Sequence, residues 1–196
     1  MCHLHTIINF FDIIKVLSRK DDYMLISINA GHTIANQKGA GATYDGWYEG
    51  DITRAVANEL GTLLRRKGHK THSSAVDKAS SQNAYLKKVC DMANSSGADL
   101  FISLHTNASS SHRANGVEVF TWRAAKHIEA VDICANLEDL GFKNRGVKDG
   151  SKLYVIKNTK PKALLVELFF IDNTIDRNLY IKYGSKKIAE AIADAI

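Results

Sequence analysis

Proline and cysteine are scarce in this chain of 196 residues, which holds one proline, Pro161, and three cysteines, Cys2, Cys90 and Cys134. Cysteines spaced so widely make neither a CxxC clip nor a disulfide framework, and an odd count reads as reduced thiols of a protein made in a reducing cytoplasm. With so little proline, no low-complexity stretch and no internal repeat, nothing marks a flexible linker, and the length suits one domain. No run approaches the roughly 20 apolar residues that span a bilayer, so no membrane association is expected. No secretory signal is expected either. Residues 1–23 carry apolar pairs such as Ile7-Ile8 and Phe10-Phe11, but Asp12 and Lys15 interrupt them and no small-residue cleavage site follows.

What is present is globular. Hydrophobic residues make up 45% and charged residues 24% of the chain, which excludes a disordered, collagen-like or coiled-coil protein. The net charge of +5 would suit a polyanionic partner, but the basic residues fall in short groups such as Arg65-Arg66-Lys67 and Lys186-Lys187. Such groups read as solvating charge on helix faces and ends, and no nucleic-acid partner is expected. Met24 stands immediately before the apolar run Leu25-Ile26-Ser27-Ile28, so residues 1–23 read as an extension outside the core and residues 24–196 as the domain. Cys2, His3 and His5 are read with that extension as a mobile terminus rather than a metal site.

Short apolar runs alternate with amphipathic segments along the domain. Strands are predicted at Leu25–Asn29, His69–Ser74, Asp99–His105, Val117–Trp122, Leu153–Ile156 and Ala163–Phe169. Helical stripes run through Ile52, Val56, Leu60 and Leu64, through Tyr85, Val89 and Met92, through Ile128, Val131, Ala135 and Leu137, and through Ile188, Ile192 and Ile196. Gly68, Gly97 and Gly141 follow the first three as stop signals. The last stripe is expected to carry helix to the chain's end, with a domain boundary just beyond. This pattern predicts a single α/β domain, an open and twisted sheet of about six strands, mostly parallel or mixed, with helices on both faces. Such sheets bind ligands where the strands' carboxyl ends turn into loops.

Chemistry-bearing residues stand at those ends. The first strand runs into Ala30-Gly31-His32 and a loop holding Gly39, Gly41 and Gly46, after which Glu49 opens a helix. The third ends at His105-Thr106-Asn107. The last delivers Glu167 from the apolar run Ala163-Leu164-Leu165-Val166, and a carboxylate there is costly to desolvate unless paired, metal-bound or partly wet. Two imidazoles and a carboxylate form a donor set that zinc accepts in catalytic sites, and His32, Glu49 and His105 can supply it. Each residue also has a plain structural use, Glu49 as a carboxylate at a helix start and His32 as a loop residue. Asn107 is a candidate partner for His105. His69, His72, His112 and His127 read as non-ligands.

These residues carry a resemblance. The segments Ile28-Asn29-Ala30-Gly31-His32, Glu49, Ile102 to Ala108 (ISLHTNA), Asn144 to Lys148 (NRGVK) and Leu165 to Asn173 (LVELFFIDN) resemble, in order, the zinc-dependent N-acetylmuramoyl-L-alanine amidases of the amidase type 3 family, particularly catalytic domains of clostridial bacteriophage endolysins. Asn29 stands where members of that family often carry Asp. The resemblance implies one zinc ion per chain held by His32, Glu49 and His105, with Glu167 as the catalytic carboxylate. It implies hydrolysis of the amide between the lactyl group of N-acetylmuramic acid and L-alanine in bacterial peptidoglycan. Asn107 and Arg145 are then candidates for orienting a ligand or meeting substrate. An enzyme of this kind without a signal peptide would be made in the host cytoplasm and act on the wall after release, with a wall-binding domain expected beyond the C-terminus. The rival readings are a zinc peptidase cleaving a stem-peptide bond, a non-catalytic wall-binding module and a purely structural domain.

Overall fold

The computed structural model describes residues 23–34 and 39–196. Along the chain come β1 (Leu25–Ala30), a hairpin of β2 (Thr43–Tyr44) and β3 (Trp47–Tyr48), α1 (Glu49–Arg66), β4 (Lys70–Ser73), α2 (Gln82–Ser95) and β5 (Leu100–Asn107). There follow β6 (Val117–Thr121), a single 3-10 turn (Trp122–Ala124), α3 (Ile128–Glu138), β7 (Asn144–Asp149), α4 (Tyr154–Asn158), β8 (Lys162–Phe170) and α5 (Thr174–Ala193). The main sheet has six strands in the order β4-β1-β5-β8-β6-β7. All neighbours pair in parallel except β6 and β8, which are antiparallel.

Alternation along the central strands assigns each residue to a face. Ile26, Ile28, Leu100, Ile102, Leu104, Leu164, Val166 and Leu168 pack with Val56, Leu60 and Leu64 of α1, Ile133 and Leu137 of α3 and Ile188 and Ile192 of α5. On the other face Phe101 and Leu165 pack with Tyr85, Val89 and Ala93 of α2 and Val155 and Ile156 of α4. Both faces are therefore covered, as the near-continuous apolar runs require. By the same parity Asn29, Ser103, His105 and Glu167 belong to the second face, past the end of its apolar cover. The carboxylate between Val166 and Leu168 thus never enters the larger core. The predicted α/β sheet with helices on both faces is what forms.

Three local readings need correction. Leu153–Ile156 is no strand. Four apolar residues cannot tell a strand from a helical turn, and here Lys157 N–H donates to the Leu153 carbonyl at 3.0 Å while Val155 and Ile156 turn into the core. The sixth strand is instead β7, a polar segment that pairs only with β6 and so needs no apolar faces. Gly146, at φ +74°, sits where the β6–β7 register shifts, which hides the alternation further. The last helix begins at Thr174, capped by the Asn173 side chain on Ile175 and Asp176 N–H, is interrupted at Gly184, and stops at Ala193 rather than running to Ile196. The β2–β3 hairpin also went unpredicted, although its Asp45-Gly46 turn, with φ of +51° and +78°, is the usual signal for one.

No helix among the described residues is long and apolar enough to cross a membrane. Cys90 and Cys134 are free and buried. The extension through residue 22, with Cys2, His3 and His5, lies outside the described residues.

Candidate active site

The chain leaves β1 through Gly31 and places His32 in the left-handed region at φ +65°, a strained conformation for a histidine. The guanidinium of Arg54 holds it there. Its Nη2 donates to the His32 carbonyl at 3.0 Å, its Nη1 to that of Gly50 at 2.9 Å, and Asp77 pairs with the same group. The His32 ring turns Nδ1 to the carbonyl of Gly39 at 3.2 Å, an acceptor only, so Nδ1 carries the proton and Nε2 faces Glu49 Oε2 at 3.3 Å.

Glu49 is the first residue of α1 and only 3% exposed. Its carboxylate accepts the Ala42 N–H at 2.7 Å on Oε2 and the Thr106 N–H at 3.0 Å on Oε1, and Oε1 also meets His105 Nδ1 at 3.0 Å. Burial alone would raise this carboxyl, but the hydrogen bonds to His105 and His32 and the charges of both rings hold it well below the usual carboxylate range. Burial opposes the charged form of His32 in the same way, and Glu49 outweighs it so that the ring's pKa is raised. The two rings stand edge to face with centroids 5.0 Å apart.

His32, Glu49 and His105 each offer one donor atom, and these atoms lie within 4.8 Å of one another. Two nitrogens and a carboxylate oxygen so gathered can hold a divalent cation of the zinc type once the ring atoms facing Glu49 give up their protons. Two glycines make the room. A Cβ on Gly31 would strike the Leu104 carbonyl and lie 2.6 Å from the His105 ring, and one on Gly41 would meet Glu49 Oε2 and stand 2.7 Å from the His32 ring. The other histidines among the described residues lie elsewhere: His69 Nδ1 accepts the Met24 N–H, His72 bonds Ser27, His112 bonds Asp172, and His127 precedes α3.

Beside this group lies Glu167, opposite His105 in the β5–β8 register. Its Oε2 is buried with no hydrogen-bond partner. Burial first, then the charges of Glu49 and Glu118, push its pKa well above the ordinary value. Glu118 escaped the sequence reading. It is 5% exposed, accepts from Asn107 Nδ2 at 2.9 Å and from Arg145 Nε at 2.8 Å, and faces Glu167 across β6–β8. The Arg145 guanidinium also lies 5.0 Å from the Phe170 ring centre. The two residues singled out as candidates for orienting a ligand thus both converge on a carboxylate. Asn107 bonds Glu118 rather than His105, whose Nε2 meets Ser103 Oγ at 3.1 Å. A glutamate inside Val117-Glu118-Val119 gives the same signal as Glu167, which is how it could have been found.

The profile of the Amidase_3 family, described as N-acetylmuramoyl-L-alanine amidase, matches residues 26–196. The chain belongs to this family. The Amidase_3 chain is 33% identical over 179 residues to the N-acetylmuramoyl-L-alanine amidase LytC of Bacillus subtilis, covering 86% of its own length and 34% of that protein's. It is 32% identical over 181 residues to an uncharacterised protein of Clostridium perfringens, covering 88% of this chain and 51% of that one. It therefore spans about a third to a half of these curated relatives. Among solved structures, the catalytic domain of the CD27L endolysin, which targets Clostridia difficile, matches with a TM-score of 0.80 at 34% identity, over 88% of this chain and 96% of that one. The catalytic domain of CwlV, an N-acetylmuramoyl-L-alanine amidase from Bacillus (Paenibacillus) polymyxa var. colistinus, matches with a TM-score of 0.75 at 26% identity, over 87% of this chain and 94% of that one. The His-Glu-His group lies in the region matched by the Amidase_3 family.

Proposed function

We propose that this domain is a zinc-dependent N-acetylmuramoyl-L-alanine amidase, cleaving the amide between the lactyl group of N-acetylmuramic acid and L-alanine of bacterial peptidoglycan. His32 through Nε2, His105 through Nδ1 and the Glu49 carboxylate would hold one zinc ion. Glu167 is the catalytic acid–base, and the observation that carries the reading is its buried, unpartnered carboxyl oxygen next to the His-Glu-His group.

An amide resists hydrolysis because water is a weak nucleophile and an amine a poor leaving group. When bound, zinc supplies Lewis-acid polarisation of the scissile carbonyl and lowers the pKa of water from about 15.7 to about 7. Glu167 takes the proton of the attacking water on its carboxylate and returns it to the departing L-alanine nitrogen. A raised pKa suits this double duty, because a carboxyl poised nearer neutrality is the stronger base toward water and still holds, near neutral pH, the proton that the departing amine takes up. Arg145, partly exposed beside Glu118, would meet an acidic group of the stem peptide. The site of action is the bacterial wall, with wall lysis as the outcome.

The test is digestion of purified peptidoglycan, with and without chelator and with zinc restored, followed by mass spectrometry of the new ends. Free L-alanine amino termini on intact glycan, lost on chelation and recovered with zinc, are expected. New ends within the stem peptide would assign a peptidase instead, and absence of cleavage would leave a wall-binding module.

A further inference from the structure

Behind His105 runs a buried chain of hydrogen bonds that leads away from the donor group. Nε2 meets Ser103 Oγ at 3.1 Å, Ser103 Oγ meets Asn29 Oδ1 at 2.8 Å, and Asn29 Nδ2 lies 3.1 Å from the Ser74 carbonyl, 3.3 Å from the Ala30 carbonyl and 3.5 Å from Tyr85 Oη. Ser103 is fully buried and Asn29 is 1% exposed, so no solvent competes for these groups. The Tyr85 hydroxyl in turn donates to the Ala30 carbonyl at 3.4 Å.

The direction of every proton in this chain follows from its far end. Two backbone carbonyls surround one end of the Asn29 amide and can only accept, so that end is the NH2 and the other is the oxygen. The Asn29 oxygen can only accept, so the Ser103 hydroxyl donates to it. A hydroxyl has one hydrogen, so Ser103 has only lone pairs left for His105, and Nε2 must carry a proton to bond with it. Nδ1 is the atom that faces Glu49, and in the neutral ring it is then the one with the free lone pair.

We infer that Asn29 and Ser103 are positioning residues that dictate the tautomer and ring orientation of His105, committing Nδ1 to the metal. Neither touches the donor group's cation-facing atoms, and the inference rests on the zinc reading of the site. Without the Asn29 oxygen the Ser103 hydroxyl is free to turn and donate to Nε2. The proton then moves to Nδ1, where it blocks the donor atom. Partners of this kind behind a metal-bound histidine are worth about 10- to 100-fold in metal affinity.

Zinc affinity, measured by competition with a chromophoric chelator, tests the relay without reference to turnover. Ser103→Ala and the near-isosteric Asn29→Leu are each expected to weaken zinc binding by about 10- to 100-fold. Ser103→Thr, which keeps the hydroxyl, is expected to stay within about threefold of the parent, which guards against a merely misfolded variant. Because both residues act through one proton, the double variant should bind no more weakly than the poorer single variant, whereas independent damage would add. In nitrogen-15 spectra of the zinc-loaded parent, His105 should show a proton on Nε2 and the metal on Nδ1. Parent-like affinity in both single variants, additive losses, or zinc on Nε2 would overturn the relay. Failure of the parent chain to take up zinc at all would overturn the zinc reading itself and the relay with it.

Discussion

Glu118 lies directly opposite Glu167 in the antiparallel pairing of β6 with β8, so two carboxylates share one patch of the sheet beside His105. Like charges directly opposed across strands repel, and the charge of Glu118 disfavours ionisation of Glu167. Glu118 accepts hydrogen bonds from Asn107 and Arg145, while Glu167 Oε2 has no such partner. The repulsion therefore falls on Glu167. Glu118→Gln should lower the pKa of Glu167 and move the acid limb of the kcat/KM profile to lower pH. Profiles on a soluble muropeptide check this, and an unmoved limb would show that Glu118 does not tune the acid–base.

Replacing Glu167 by Gln should separate chemistry from metal binding. Loss of acid–base assistance is expected to cost about 10²- to 10⁴-fold in kcat. Zinc content by elemental analysis should remain near one per chain, since Glu167 is not one of the three gathered donors. Loss of metal in this variant would make Glu167 a ligand.

The same substitution should stabilise the metal-free protein at high pH. Burial and two neighbouring carboxylates raise the Glu167 pKa in the folded state, so between its ordinary value and the raised one the native state binds a proton that the unfolded chain gives up. Stability from this group is then complete at low pH and is lost as pH rises through the folded pKa. Gln cannot ionise and escapes the loss. In chelator, Tm of Glu167→Gln should match the parent at pH 4 and exceed it at pH 8, with about 2–4 °C for each kcal/mol in a chain of this size. A parent Tm equal to or above the variant's at pH 8 would refute the shift.

How legible the site was depended on where each residue stands relative to the sheet. His32, His105 and Glu167 were readable because His32 follows β1 and the other two interrupt apolar runs toward the carboxyl ends of β5 and β8, where an α/β sheet gathers its chemistry. Arg145 belongs to β7, where a register shift and a left-handed Gly146 disturb the alternation, and that strand was missed for this reason, whereas Glu118 stands between two valines of the expected strand β6 and was passed over. Ser103 and Asn29 look like ordinary polar interruptions in a sequence. Only their direct opposition in the β1–β5 register turns them into a pair. Leu153–Ile156 misled because a short apolar run carries no period, and its helical form depends on what α4 covers.

His105→Ala should abolish zinc binding and activity together. It removes one of three donors and leaves Glu49 Oε1 with the Thr106 N–H but without its ring partner. His32→Ala should behave likewise. Full zinc occupancy in either variant would remove that histidine from the ligand set.

Space for the donors can be tested separately from the donors themselves. Gly31 has no left-handed backbone to explain it; what it lacks is room, since an added Cβ would overlap the Leu104 carbonyl and come within 2.8 Å of His105 Nδ1. The Leu104 carbonyl is fixed by the Gly31 N–H at 2.9 Å and cannot withdraw without breaking β1 from β5. The ring must move instead, carrying its donor nitrogen away from Glu49. Gly31→Ala is expected to cost about 1–3 kcal/mol in stability and to weaken zinc binding as well. Gly46 offers the contrast, with φ +78° and nothing within 4 Å of an added Cβ, so Gly46→Ala meets backbone strain alone. It should cost about 1–2 kcal/mol while leaving zinc affinity unchanged. Paired melting curves and zinc titrations distinguish the two, and equal zinc affinity in both variants would show that the ring finds its place without the space Gly31 leaves.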